Sequence, residues 1–231
     1  MTNYSAMFNT TVKANDLENL FYFRGTSGLS PAAAAYTRMK WTFIQYTYVI
    51  PTNEIKTLYE ISDLRKSVSL NSNASKINKY NDLSTAGYND NADDYHVIRY
   101  SDVLMMYAET LIELETDTTG ITTNLDNALS IINKIRQAHG GSGIRPISYI
   151  NKSDLSNQYR LERRKEFLFE GNRLYDLLRW GVFVPTIKAN LSLQTGKPIT
   201  TFDYITEKYN LFPLPYKDLV VNPNLSQNPG W

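Results

Sequence analysis

Glu162, Glu166 and Glu170 recur at four-residue spacing, so on one helix their carboxylates share a face. Paired carboxylates can serve as acid and base in cleavage of a glycosidic bond. Glycosidase carboxylates usually flank a cleft from separate elements, however, whereas these occupy successive turns of one helix. A row of like charges also needs cations beside it, and Arg163, Arg164, Lys165, Arg173 and Arg179 are close in sequence. The spacing therefore favours a structural salt-bridge network, which fixes geometry more than it adds stability. No residue is assigned to catalysis.

Metal chemistry has little to draw on. The only histidines are His96 and His139, and neither has a glutamate three residues before it, as a helical di-metal motif would require. His96 reads as a loop or strand residue, and His139 as a cation suited to the negative end of a helix. Asp90-Asn91-Ala92-Asp93-Asp94 offers hard oxygen ligands for calcium but lacks the EF-hand spacing and its closing glutamate. Gly140-Gly141-Ser142-Gly143 follows a helix where a phosphate loop precedes one, and reads as a helix stop. Cysteine is absent, which removes disulfides, thiolate ligands and cysteine nucleophiles. Nothing resembles a serine nucleophile elbow. Neither a metal nor a cofactor is assigned.

Lys and Arg number 24 against 23 Asp and Glu, a formal charge of +1 in 231 residues, which gives no reason to expect a nucleic-acid partner. No run approaches the roughly 18 apolar residues of a membrane-spanning helix. The polar start, Met1-Thr2-Asn3-Tyr4-Ser5, has neither the basic nor the apolar part of a signal peptide. Tyrosine is abundant, at 17, beside nine Phe and three Trp, a composition suited to cores and also to sugar faces and protein partners.

The elements that must hold these residues are mainly helical. Residues 1–95 read as a loop-rich segment with short pieces of structure: a strand at Leu20–Phe23, an aromatic strand or loop at Trp41–Ile50, and a short helix in Pro51–Leu64 capped by Thr52 or Asn53. Asn71–Asp94 reads as a long surface loop. Residues 96–231 read as a helical core with a proline-rich tail, the two parts forming one folded unit. In the first helix Tyr100, Val103, Leu104, Tyr107, Ala108, Leu111 and Leu114 form the expected buried stripe, with Ser101 or Asp102 as cap. In the second, the stripe is Leu125, Ala128, Ile132 and Ile135. The pair makes an antiparallel hairpin of the tetratricopeptide kind. A third helix is expected from Ser153, as cap, to Trp180, broken near Gly171. After Pro185 the chain is expected to return to loop, and Pro213, Pro215, Pro223 and Pro229 argue against a regular helix in the tail.

Four segments, in order, resemble the RagB/SusD family. The first is Val97 to Glu109, with Arg99, Tyr107 and Glu109 in place and Ser101-Asp102 where Ala-Glu is usual. The second is Ala128 to Arg136, with Asn133, followed by the glycines. The third and most specific is Glu162-Arg163-Arg164-Lys165-Glu166-Phe167 through Glu170-Gly171-Asn172-Arg173 to Asp176, Arg179, Trp180 and Gly181. The fourth is Leu211 to Pro215 with Asn222 to Trp231, where Trp231 replaces a Tyr. Asp63-Leu64-Arg65 lies in a weaker match.

The resemblance implies a mainly α fold of tetratricopeptide-like helix pairs with long loops. It implies no catalysis, but binding of an oligosaccharide or polysaccharide at the outer-membrane surface and delivery to a TonB-dependent SusC-like transporter. The motif residues Arg99, Glu109, Asn133, Arg136, Glu162, Arg163, Glu166, Glu170, Gly171, Arg173, Asp176, Arg179 and Trp180 would specify the fold and not touch ligand. Tyr36, Trp41, Tyr46 and Tyr48 are the candidate ligand contacts. Members are longer, with a signal peptide, a lipid-bearing cysteine and a further helical half, so this chain is expected to be a C-terminal portion whose membrane anchor lies outside it. Its apolar surface is then expected to drive self-association. A helical interaction scaffold and, behind it, a glycoside hydrolase are the alternatives.

Overall fold

The computed structural model describes residues 3–8, 17–25, 50–80 and 93–231. The chain falls into two units, Met1–Glu170 and Gly171–Trp231. In the first, helix α1 (Tyr4–Met7) precedes strand β1 (Asn19–Phe23), short helices α2 (Asn53–Lys56) and α3 (Arg65–Ser69), and strand β2 (Tyr95–Arg99). Three long helices follow, α4 (Tyr100–Leu114), α5 (Thr123–Gly140) and α6 (Lys152–Glu166). The second unit holds α7 (Arg173–Arg179), α8 (Phe183–Thr195), 3₁₀ turns at Ile199–Phe202 and Glu207–Asn210, and α9 (Tyr216–Val221). The fold is mainly α, as expected.

Strands β1 and β2 pair antiparallel, with Asn19 opposite Arg99 and Tyr22 opposite His96. The pairing places Glu18 at the start of α4, where it does the capping expected of Ser101 or Asp102. Its backbone carbonyl accepts the Tyr100 amide at 2.7 Å, and its carboxylate accepts the Ser101 amide at 2.9 Å and the Ser101 hydroxyl. A distant carboxylate thus satisfies orphan amides of the first turn and complements the helix dipole.

Helices α4 and α5 form the hairpin, and α6 packs on both. The α5 stripe Leu125, Ala128, Ile132 and Ile135 is fully buried, as its spacing predicts. On α4 the buried face is instead Ser101, Met105, Ala108 and Ile112, while Tyr100, Val103, Tyr107 and Leu114 are exposed. This helix is apolar on more than one side, so periodicity alone does not choose the face. Thr122 caps α5 by accepting the Leu125 amide at 3.4 Å. Asn151, two residues before the expected Ser153, caps α6 by accepting the Asp154 amide at 2.9 Å. Helix α5 stops at Gly141, whose φ of +91° is left-handed, and a Cβ there would meet Leu64 Cδ1 at 2.7 Å. The glycine run is therefore both a stop and a seat for the 61–65 segment, whose Leu64 amide bonds Gly140 O at 3.0 Å.

Within the second unit, Val184, Phe202 and Ile205 make a small core with Phe183, Ile187 and Leu191. Helix α8 runs through Pro185, contrary to the expected loop. Pro185 stands in its first turn, where no backbone amide has a helical partner to lose. The tail likewise contains one regular turn: α9 fits between Pro215, its N-cap, and Pro223. Gln227 bonds both backbone groups of Leu214, at 2.7 and 3.0 Å, and the Trp231 indole donates to the carbonyls of Lys208 and Leu211 at 3.0 and 3.1 Å. Among the described residues no helix is long and apolar enough to cross a membrane.

The two faces of α4 should respond oppositely to truncation. Met105→Ala is expected to cost about 2–5 kcal/mol in chemical denaturation, because Met105 is sealed against the hairpin core. Tyr107→Ser should stay within about 0.5 kcal/mol.

Candidate functional site

The glutamate row lies at the end of α6. Glu162 and Glu166 occupy its last two turns; the chain then turns through Phe169 (φ +65°) and Gly171 (φ +89°), with Glu170 between them. All three glutamates are buried, Glu166 completely. A carboxylate without water survives ionised only among cations, and these arrive from other elements. Arg65, at the start of α3, reaches Glu162 at 2.6 Å and Glu166 at 3.2 Å while gripping Asp63 through two bonds of 2.9 and 2.8 Å. Arg99, at the end of β2, forks onto Glu170 at 2.8 and 2.9 Å and touches Glu166 at 3.1 Å. Arg136 and His139, from the end of α5, bind Glu162 at 2.7 Å and Glu166 at 2.8 Å. Lys79 holds Glu170 at 2.8 Å.

The cations expected from the same segment point elsewhere. Arg163 pairs with Asp102 at 2.7 Å, Arg164 with Glu54, and Lys165 with Glu60 at 3.2 Å and, at 4.0 Å, with Glu162. Two tyrosines complete the helix end: the Tyr4 hydroxyl donates to Glu166 O at 2.8 Å and the Tyr59 hydroxyl to Lys165 O at 2.7 Å. Both serve carbonyls that have no partner further along the helix. The Arg99 guanidinium also lies 4.6 Å from the Phe167 ring centroid, so the cation is enclosed by π-surface as well as by carboxylates.

The electrostatics follow from this enclosure. Burial alone would raise the Glu166 carboxyl, but His139, then Arg99 and Arg65, hold it well below the ordinary range. Glu170 is lowered likewise, against burial, by Arg99 and Lys79. Burial pushes the Lys79 ammonium down to about 8, with Glu170 opposing the shift. Carboxylates held ionised, saturated with cations and closed to solvent can neither donate a proton to a sugar nor accept one from water. The row is the salt-bridge network its spacing suggested, built with different partners.

Other motif residues also tie elements together. Glu109 accepts the Tyr159 hydroxyl at 2.8 Å, and Asn133 bonds both backbone groups of Ile147, at 3.0 and 2.8 Å. In the second unit Asp176 pairs with Arg179 at 3.0 Å, and the Arg179 guanidinium lies 4.9 Å from the Trp180 ring centroid. Arg173 is the first residue of α7 and is half-buried. Tyr36, Trp41, Tyr46, Tyr48 and Asp90 lie outside the described residues. Asp93 and Asp94 are buried, and Asp94 accepts the Gly25 amide at 2.9 Å. Among the described residues no cluster of three or more metal-ligating side chains occurs.

Sequence reasoning passed over an aromatic ledge on the strand pair. Phe21 and Phe23 are exposed with ring centroids 5.8 Å apart, and Tyr95 stacks on Phe23 at 6.5 Å and 21°. The consecutive aromatics Phe21-Tyr22-Phe23 were the available signal. They predict a strand, but which face stays uncovered depends on the partner strand.

Comparison with known proteins places these features in a family. The model of the SusD family matches residues 9–231. "SusD-like protein P38" of Formosa agariphila is 30% identical over 161 residues, covering 66% of this chain and 27% of that protein. "SusD-like protein P2" of the same organism is 27% identical over 218 residues, covering 80% of this chain and 41% of that protein. The chain thus spans less than half the length of these curated relatives. Among solved structures, surface glycan-binding protein A from Bacteroides fluxus superposes with a TM-score of 0.68 at 18% identity, over 100% of this chain and 54% of that one, a likeness of fold.

The network predicts an asymmetry between its cations. Arg99→Met strips Glu166 and Glu170 of a shared partner and is expected to cost about 3–5 kcal/mol in denaturant unfolding; Lys79→Met, which leaves Glu170 its Arg99 fork, should cost less. Stability over pH should follow the shifted groups. The depressed Glu166 and Glu170 contribute fully above the ordinary carboxylate range, and that contribution is lost as the pH falls through their lower folded values. Lys79 has the same proton balance in a higher window: between about 8 and its ordinary 10.5 the unfolded chain binds more protons, so stability rises with pH there too. Scanning calorimetry should show that rise in the native chain and its loss in Lys79→Met.

Proposed function

The chain belongs to the SusD family, and on that premise we propose that it takes part in non-catalytic capture of a glycan at the cell surface. The observation that carries this reading is the division of labour in the first unit. Carboxylates that could have done acid/base chemistry are locked in a buried frame, while aromatic rings stand exposed on the strand pair. Rings of this kind stack on the apolar faces of sugars, and polar groups beside them discriminate by bonding hydroxyls. The ligand contacts we propose are Tyr36, Trp41, Tyr46 and Tyr48, and the Phe21, Phe23 and Tyr95 ledge is a further candidate surface. The captured oligosaccharide or polysaccharide passes to a TonB-dependent SusC-like transporter that the family covers like a lid, and the longer protein sits at the outer membrane through a lipid anchor. The name of the Bacteroides fluxus neighbour, a surface glycan-binding protein, supports the ligand class.

A helical interaction scaffold is the second reading, favoured by the exposed apolar residues Tyr100, Val103, Tyr107 and Leu114 on α4.

Calorimetric titration of this chain, and of the longer protein, against a panel of neutral and acidic polysaccharides separates the two. Capture predicts heat with at least one glycan and a loss of about tenfold or more in affinity for Trp41→Ala or Phe23→Ala. Silence of both proteins across the panel would sink the reading and leave the scaffold.

A further inference from the structure

We propose that the open cavity lined by residues 61–78 binds a carboxylated sugar unit. This deepens the capture reading, on which the choice of a carbohydrate rests. The cavity measures about 590 Å³, within the roughly 300–1,000 Å³ of small-molecule sites. Its apolar rim is Ile61 and Leu64, both exposed, which suits the C–H face of a pyranose. Its polar wall carries Lys66, Asn71, Ser72 and Asn78.

Two features set the ligand class. The first is charge. Asp63 also lines the cavity, but its carboxylate is fully buried and neutralised by the two bonds from Arg65. Lys66 is half-buried and, among the described residues, has no carboxylate partner. A neutral occupant would strip water from that ammonium and return nothing, whereas a carboxylate would pair with it. The second is fixed polarity. Asn71 is oriented by the Lys76 amide at 2.9 Å and the Ser75 hydroxyl at 3.3 Å, and Asn78 donates to Ser67 O at 2.9 Å. The Leu70–Ile77 bridge closes the loop, and Arg65 anchors α3 in the charge network. The wall is therefore organised before a ligand arrives, which lowers the ordering cost of binding. Among the described residues no aromatic ring lines the cavity, so hydroxyl bonding and charge, not stacking, would hold the sugar.

The test is an amide-resolved NMR titration of the whole chain with a galacturonic-acid tetrasaccharide and, in parallel, a galactose tetrasaccharide. Lys66→Gln removes the charge, and Ser72→Trp fills the mouth from an exposed position that the fold does not need. The expected result is that the acid shifts amides of residues 61–78, that Lys66→Gln weakens the acid about tenfold and the neutral sugar hardly at all, and that Ser72→Trp abolishes the shifts. Added salt should weaken the acid selectively. Acid shifts that lie elsewhere, or that survive both substitutions unchanged, overturn the cavity as a site. If neutral glycans still give heat in that case, the capture reading stands without it; if no glycan of either kind binds, both fall.

Discussion

Glu166 has no contact with water, and the first unit is arranged around that fact. Removing a carboxylate from solvent costs several kcal/mol, and the cost is tolerable only if cations approach from more than one side with good geometry. Arg65 and Arg99 do so from α3 and β2, His139 of α5 bonds the same carboxylate through Nδ1, and the Tyr4 hydroxyl donates to the carbonyl of that residue. A pair buried in this way adds little net stability over an apolar core. What it supplies is position: a helix end, a strand end and a short helix have one mutual arrangement in which every charge is answered. The strand ribbon with its aromatic ledge and the 61–78 cavity both grow from elements that the network fixes.

The reading of the glutamate row shows where sequence stops being sufficient. Four-residue spacing placed Glu162 and Glu166 on one face and argued for cations nearby. Nearness in sequence then suggested Arg163, Arg164, Lys165, Arg173 and Arg179; Arg163 and Arg164 stand at other angles of α6 from the row, and Arg173 and Arg179 belong to α7. The actual partners are separated from it by tens of residues, and only their burial in the fold reveals them. Arg99 and Arg136, in the family motifs, and Arg65, in the weaker Asp63-Leu64-Arg65 match, were the visible traces. Capping shows the same limit. The Thr52 cap, which accepts the Ile55 amide, and the Gly141 stop were legible because the relevant atoms are local, whereas the Glu18 cap of α4 exists only because β1 pairs with β2.

Apolar periodicity failed for a different reason. On α5 one stripe is apolar and the rest polar, so the buried face was unambiguous. On α4 two faces qualify, and the hairpin takes the one with small residues, Ser101 and Ala108, which let the helices approach. The larger Tyr100, Val103 and Tyr107 remain outside. In the second unit, Pro185 looked like an end and is a beginning, because proline is excluded from helix interiors but not from their first turn. The four aromatic positions between 36 and 48 were chosen as loop aromatics suited to stacking on sugar faces, not as binding residues carried over from the family.

The Tyr4 hydroxyl and the Glu166 carbonyl are separated by 162 residues along the chain. During synthesis the arginines and the buried lysine emerge first, with Asp63 beside Arg65, and the carboxylates of Glu162, Glu166 and Glu170 come last. Until Glu170 has left the ribosome, Arg65, Lys79, Arg99 and Arg136 belong to a chain that cannot close its core. Contacts of such long sequence separation form slowly, since loop closure must precede their reward. The hairpin of α4 and α5 can assemble early from local contacts, but the unit as a whole should mature in one late, cooperative step.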